Sequence, residues 1–142
     1  MIYLDATYIV RLYYADPGFR PVRELAATAP VACAEHGRAE VVAALHRKRR
    51  EGSLDDKLFA LVLRQFAHDR RAGAFMWLAL SPAVFDRIEK VYARLPPTVV
   101  LRAADALHLA CAAENRFREI YTHDQRLLAA APKFGLKGVD VI

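Results

Sequence analysis

Met1-Ile2-Tyr3-Leu4-Asp5-Ala6-Thr7-Tyr8-Ile9-Val10 opens the chain, and how it folds decides the architecture. The apolar run Ile2–Leu4 is too short for a helix and is stopped by a carboxylate, which is the pattern of a short buried strand. Ile9, Val10 and Leu12 then recur at helical spacing as far as Tyr14, behind a capping region at Asp5–Thr7. A strand leading straight into a helix is half of a parallel crossover unit. The rest of the chain repeats that grammar. Asp16-Pro17-Gly18 is a turn before a helix over Pro21–Ala27, with Val22 and Leu25 facing inward. Pro30–Cys33 reads as a second strand, and a helix from Glu35 to Arg50 turns Val41, Ala44 and Leu45 inward.

Gly52-Ser53 breaks that helix, and Ser53 with Asp56 has capping-box spacing ahead of a helix striped by Leu58, Leu61/Val62 and Gln65/Phe66. Gly73 ends it. Phe75–Leu80 is an apolar strand, and Ser81-Pro82 starts a helix with Val84, Ile88, Val91 and Tyr92 inward. After Pro96-Pro97, Ala103–Glu114 is an Ala- and Leu-rich helix; Arg118–Thr122 is a strand, Gln125–Ala131 a short helix and Lys137–Ile142 a last strand. Short strands alternating with helices predict an α/β fold, a mostly parallel central sheet of four to five short strands flanked by helices on both faces.

At 142 residues and 55% hydrophobic composition, one domain over residues 1–142 is expected, since two would be too small to bury good cores. No stretch has the roughly 20 uncharged apolar residues of a membrane helix. The opening has no basic segment of signal-peptide type and meets Asp5 where an apolar run would continue, so a cytoplasmic protein is expected. Cys33 and Cys111 are far apart in apolar settings, and both read as buried free thiols. The net charge of +5 and pI near 9.5 suit a polyanionic partner such as nucleic acid or an acidic peptide.

In open α/β sheets ligands bind beyond the carboxyl ends of the strands. Asp5 ends the first strand, Asp124 follows the Ile120-Tyr121-Thr122 strand, and Asp105 starts the helix after Thr98–Leu101. Glu40 sits on the long helix beside its inward edge at Val41 and Ala44. Taken singly, each Asp reads as a helix cap and Glu40 as a solvated helix residue. Taken together in one cleft, such acids would repel one another unless a hard divalent cation joined them, and Mg²⁺ or Mn²⁺ takes oxygen ligands of this kind.

The wording around the acids singles out one grouping. Met-Ile-Tyr-Leu-Asp5-Ala-Thr7 resembles the opening of PIN-domain proteins. Arg102-Ala-Ala-Asp105-Ala-Leu-His108-Leu-Ala resembles the R-x-x-D-A-x-H-L-A segment of VapC-like PIN ribonucleases. Tyr121-Thr122-His123-Asp124-Gln-Arg126-Leu127, with Ala129-Ala130 and Gly135-Leu136, is similar to their closing segment, and Glu40 in Arg38-Ala39-Glu40-Val41 falls where they carry a helical glutamate. The resemblance runs over essentially the whole chain. It implies a PIN-like three-layer sandwich and a metal-dependent endoribonuclease, the toxin of a VapBC toxin–antitoxin pair. Asp5, Asp105 and Asp124 would hold Mg²⁺ (or Mn²⁺), with Glu40 ligating directly or through water. Thr7 and Thr122 would be hydroxyls orienting a carboxylate or a phosphate. Such an ion makes a bound water more acidic and stabilises phosphoryl charge, and cleavage would leave a 5′-phosphate and a 3′-hydroxyl. A homodimer silenced by a cognate antitoxin is implied as well.

Arg102, one turn before Asp105, either pairs with an acid or holds an RNA phosphate. The run His46-Arg47-Lys48-Arg49-Arg50 complements its helix end or tracks phosphates. His108 reads as a packed, hydrogen-bonded ring rather than a catalytic base. Phe75, Met76 and Trp77 read as strand core, Tyr13 and Tyr14 as candidates for a dimer or antitoxin surface, and His123 as a bulky neighbour of Asp124. A haloacid-dehalogenase phosphatase would need a second Asp where Thr7 stands, and a receiver domain an Asp after Phe75–Leu80; neither is present. The remaining alternatives are a non-catalytic RNA- or protein-binding PIN module and a stand-alone housekeeping PIN nuclease.

Overall fold

A computed structural model describes all of residues 1–142. The chain runs β1 (Ile2–Tyr3), α1 (Ala6–Tyr13), α2 (Phe19–Ala26), β2 (Val31–Ala34), α3 (Gly37–Arg50), α4 (Asp56–Arg71), β3 (Phe75–Leu78), α5 (Pro82–Tyr92), α6 (Ala103–Glu114), β4 (Glu119–Tyr121), α7 (Gln125–Ala130), a 3₁₀ turn (Ala131–Phe134) and β5 (Lys137–Val139). Every strand pairing is parallel: β1 with β2, β2 with β3, and β4 with β5. A parallel bridge between Leu4 and Tyr121 joins the three-stranded and two-stranded parts. The spatial order is therefore β3-β2-β1-β4-β5. From β1 the chain first builds outward on one side and later on the other, so the order reverses between β1 and β4, and the crevice at such a switch point is where α/β sheets place ligands.

Alternation along the strands sends neighbouring side chains to opposite faces. Tyr3 and Ala34 join Val84, Leu109, Ala110, Ile120 and Leu127 beneath α5, α6 and α7. Leu4, Val31 and Cys33 join Ile9, Val22, Val41, Leu45 and Phe66 beneath α1 to α4. Two cores on one sheet make the three-layer sandwich, and both cysteines are buried free thiols.

Several local readings change. Asp55, not Ser53, caps α4: its carboxylate accepts the Leu58 amide at 2.7 Å, because an Asp directly before the first helical residue outcompetes a Ser two residues further back. Leu58 and Leu61 lie on the solvent side of α4, 47% and 51% exposed, while Phe66 is buried and Phe59, Val62 and Leu63 pack inward. The apolar stripe is thus rotated from the one expected. Ser81 precedes α5 without a side-chain cap bond. On α5 Tyr92 is 39% exposed, with its hydroxyl donating to the Leu101 carbonyl. Met76 is also exposed, unlike Phe75 and Trp77 beside it. Tyr13 and Tyr14 are half-buried and also make contacts inside the fold. Tyr13 donates to Asp69 and packs edge-on to Phe66, while Tyr14 carries the Lys48 ammonium over its ring.

Candidate active site

Asp5, Glu40, Asp105 and Asp124 line one cleft of about 400 Å³, together with Thr7, Arg11, Asp16, Arg47, Lys48, Arg102 and His108. Four separate elements deliver the acids: the end of β1, the first turn of α3, the first turn of α6 and the cap of α7. The cleft therefore opens at the β1/β4 switch point.

Asp5 is 2% exposed and its carboxylate is heavily held. Oδ1 accepts the Thr7 hydroxyl at 2.7 Å and the Tyr8 amide at 3.0 Å; Oδ2 accepts the Thr122 hydroxyl at 2.6 Å. The residue does cap α1, so the structural role read from its position is real, and the two hydroxyls add to it. A carboxylate has about four lone-pair sites, and these bonds fill all but one, on Oδ2. Burial pushes the Asp5 carboxyl above its usual range, opposed by His108 and by the bonds from Thr122, Thr7 and Tyr8.

Thr122 is fully buried and works in two directions, donating to Asp5 while accepting the Asp124 amide at 3.0 Å. Asp124 caps α7 through Oδ1, which accepts the Arg126 and Leu127 amides, and presents Oδ2 to Arg102. Asp105 differs. Arg102 occupies the cap position of α6, so Asp105 is the third helical residue, 5% exposed and not a cap. Its Oδ2 accepts Arg102 Nε at 3.0 Å, and Arg102 Nη2 reaches Asp124 at 3.1 Å. The guanidinium thus bridges two of the acids, and the hydrogen bond and charge of Asp105 hold Arg102 more firmly protonated.

Glu40 Oε2 accepts His108 Nε2 at 2.6 Å, with His36 Nε2 3.7 Å away. Burial would raise the Glu40 carboxyl, but the hydrogen bond from His108 and the nearby Arg102 outweigh it and leave it below its usual value. Burial and the neighbouring His108 ring push His36 down to about 4. His123 turns away from the cleft toward Asp140, at 2.8 Å.

Among the basic side chains, Lys48 is committed to Asp16 at 2.6 Å and Arg49 to Asp56 at 2.7 Å. Arg11 is tied to the Pro17 and Thr7 carbonyls. Arg47 lines the cleft without an acidic partner. Sequence reasoning did not single out Tyr3, His36, Arg11 or Asp16. For Tyr3 a signal existed, because a tyrosine inside a buried strand needs a partner for its hydroxyl.

Four carboxylates line the cleft, with one free lone pair on Asp5 Oδ2 and no protein partner on Asp105 Oδ1, and these are oxygen donors of the kind a hard divalent cation takes. His36, Glu40 and His108 also bring one donor atom each to within 4.8 Å of one another.

The PIN domain model matches residues 2–133. The chain belongs to the PIN domain family. No curated protein is a significant match for it. Solved structures with the same fold include FitAcB from Neisseria gonorrhoeae, at 18% identity and TM-score 0.73 over 97% of this chain and 96% of that one. VapBC2 from Rickettsia felis, bound to a DNA fragment from its promoter, matches at 14% and 0.69 over 99% and 98%. VapC20 from Mycobacterium tuberculosis, described as a sarcin–ricin loop cleaving toxin, matches at 19% and 0.66 over 92% and 95%. The PIN fold read from the sequence is therefore the fold of this PIN domain, and no helix in it is long and apolar enough to cross a membrane.

Proposed function

We propose that this PIN domain is a metal-dependent endoribonuclease and the toxin of a toxin–antitoxin pair. The observation that carries the reading is the meeting of Asp5, Glu40, Asp105 and Asp124 on one cleft of an otherwise basic protein. Asp5, Asp105 and Asp124 would hold Mg²⁺ or Mn²⁺, with Glu40 ligating directly or through water. When bound, the cation supplies Lewis-acid stabilisation of phosphoryl charge and a more acidic water. Thr7 and Thr122 fix the Asp5 carboxylate and leave one Oδ2 lone pair without a protein partner. Arg102 holds Asp105 and Asp124 against their mutual repulsion, and its 56% exposed side chain is free to swing to an RNA phosphate once they are neutralised. Hydrolysis adds water across a P–O3′ bond: the water oxygen joins phosphorus, the 3′ oxygen leaves and takes a proton, and a 5′-phosphate results.

The toxin assignment draws on the company of the fold, since similar structures include VapBC2, a toxin–antitoxin complex from Klebsiella pneumoniae and VapC20, described as a sarcin–ricin loop cleaving toxin. An antitoxin partner, a homodimer and a cytoplasmic location follow from the same reading. Incubation with structured and single-stranded RNA, with Mg²⁺, Mn²⁺ or EDTA, tests it. Cleavage is expected with either metal, to be lost in EDTA and in Asp5→Asn with folding retained. RNA binding without cleavage under every condition would instead make the protein a binding module.

A further inference from the structure

Glu40 is the acid whose placement least explains itself. It rides on a helix rather than at a strand end or cap, and its side chain is 34% exposed, yet its carboxylate is gripped by a ring that is 2% exposed. Behind that ring lies Tyr3, fully buried, whose hydroxyl oxygen is 2.8 Å from His108 Nδ1 and accepts the Ala34 amide at 3.0 Å. The hydrogens can be assigned by counting donors. Tyr3 has one hydrogen to give, and His108 Nδ1 is the acceptor in reach. Nδ1 is then an acceptor, which puts the ring hydrogen on Nε2, where Glu40 Oε2 receives it. The order is Ala34 amide, Tyr3 hydroxyl, His108, Glu40, linking β2, β1, α6 and α3.

The ring is also wedged in place. His36 packs on it with centroids 4.2 Å apart, and Tyr3 meets it edge-on at 5.9 Å. Gly37 leaves room, since a Cβ there would lie 3.3 Å from His108 Cε1 and 2.6 Å from Cys33 Sγ. The grouping of His36, Glu40 and His108 is not a separate metal site on this accounting. Freeing His108 Nε2 for a metal would move the hydrogen to Nδ1, and the Tyr3 hydrogen would then be buried without an acceptor. His36 Nε2 already lies 3.1 Å from the Ala104 carbonyl, to which it donates.

We infer that Tyr3 and His108 are positioning residues for Glu40, a buried hydroxyl–imidazole relay that fixes one carboxylate oxygen and leaves the other turned to the cleft. The inference rests on the proposed cation site for what Glu40 does, but not for the relay itself. Holding a ligand from behind in this way typically changes metal affinity by roughly 10- to 100-fold. Neither Tyr3 nor His108 was read from the sequence as serving Glu40.

Two measurements test it. Long-range ¹H–¹⁵N spectra of the metal-free protein are expected to show His108 with the hydrogen on Nε2, and a mixture of tautomers in the isosteric Tyr3→Phe variant. Mn²⁺ titrations of wild type, Tyr3→Phe, Glu40→Gln and the double variant are expected to show affinity falling about 10-fold for Tyr3→Phe, and hardly at all when the same change is made in Glu40→Gln. His108→Gln, whose amide can still donate to Glu40, should retain more affinity than His108→Ala. Equal losses in both backgrounds would mean that Tyr3 merely supports the fold, and an Nδ1–H tautomer in wild type would overturn the relay. A wild type that binds no Mn²⁺ but shows the expected tautomer and its Tyr3→Phe change would defeat the proposed function and leave the relay standing.

Discussion

Thr122→Val removes a single hydroxyl and keeps the shape of a side chain that is fully buried. Two bonds go with it: the 2.6 Å bond to Asp5 Oδ2 and the 3.0 Å bond from the Asp124 amide. A hydrogen bond to a charged group contributes about 1.5–3 kcal/mol. The Asp124 amide sits at a half-buried residue that water can reach, so its loss adds little, and a total near 2–3 kcal/mol is expected at neutral pH. For a chain of this length that lowers Tm by roughly 10 °C, taking about 3–5 °C per kcal/mol. The effect carries a sign with pH. Burial already holds the folded Asp5 carboxyl above its unfolded value, so folding takes up a proton as pH falls. Losing the Thr122 bond raises it further, because that bond favours the charged form. The penalty of Thr122→Val is therefore full where Asp5 is ionised and shrinks toward the roughly 1 kcal/mol of a neutral bond at acid pH. Denaturant melts in EDTA from pH 4 to 8 measure this. A loss under 1 kcal/mol at pH 7, or one independent of pH, would refute the reasoning.

Asp105→Asn should leave the helix intact, since Asp105 caps nothing, yet reduce metal-dependent RNA cleavage by about 100-fold or more, read in a gel assay beside a circular dichroism spectrum. Arg102→Ala should tighten Mn²⁺ binding several-fold, because the cation no longer displaces a guanidinium from Asp105 and Asp124, while kcat/KM for RNA falls; weaker metal binding would contradict that assignment. Arg47→Ala should raise KM for RNA and lower the slope of log affinity against log salt by about one, as expected for one lost phosphate contact. Gly37→Ala should destabilise the fold by roughly 1–3 kcal/mol, because its Cβ would meet Cys33 and His108, and calorimetry would register it.

The strand–helix alternation was legible because each strand is a short apolar run with an abrupt polar end, and the parallel three-layer fold follows from it. The local errors have one cause: amphipathic pattern fixes a helix more firmly than it fixes the angle of its face. Leu58 and Leu61 share helical spacing with Val62 and Phe66, yet lie outside because α4 turns Phe59 toward His46 and Arg49 of α3 and Phe66 onto Tyr13, Phe75 and Trp77. The acids themselves were visible as residue types at strand and helix ends. The Arg102–Asp105 pair was readable from its one-turn spacing; what no spacing could reveal is the set of longer-range contacts: Thr122 on Asp5, Arg102 on to Asp124, and Tyr3 behind His108. Those depend on β1 lying beside β4, which only the assembled sheet determines.

Crystals grown with Mn²⁺ and measured for anomalous scattering address the centre of the account. One strong peak is expected in the cleft, within coordination distance of Asp5 Oδ2 and Asp105 Oδ1, with Arg102 moved off its two acids. No peak there, or a peak at a site that Asp5 and Asp105 do not touch, would contradict the assignment of these acids to a shared cation.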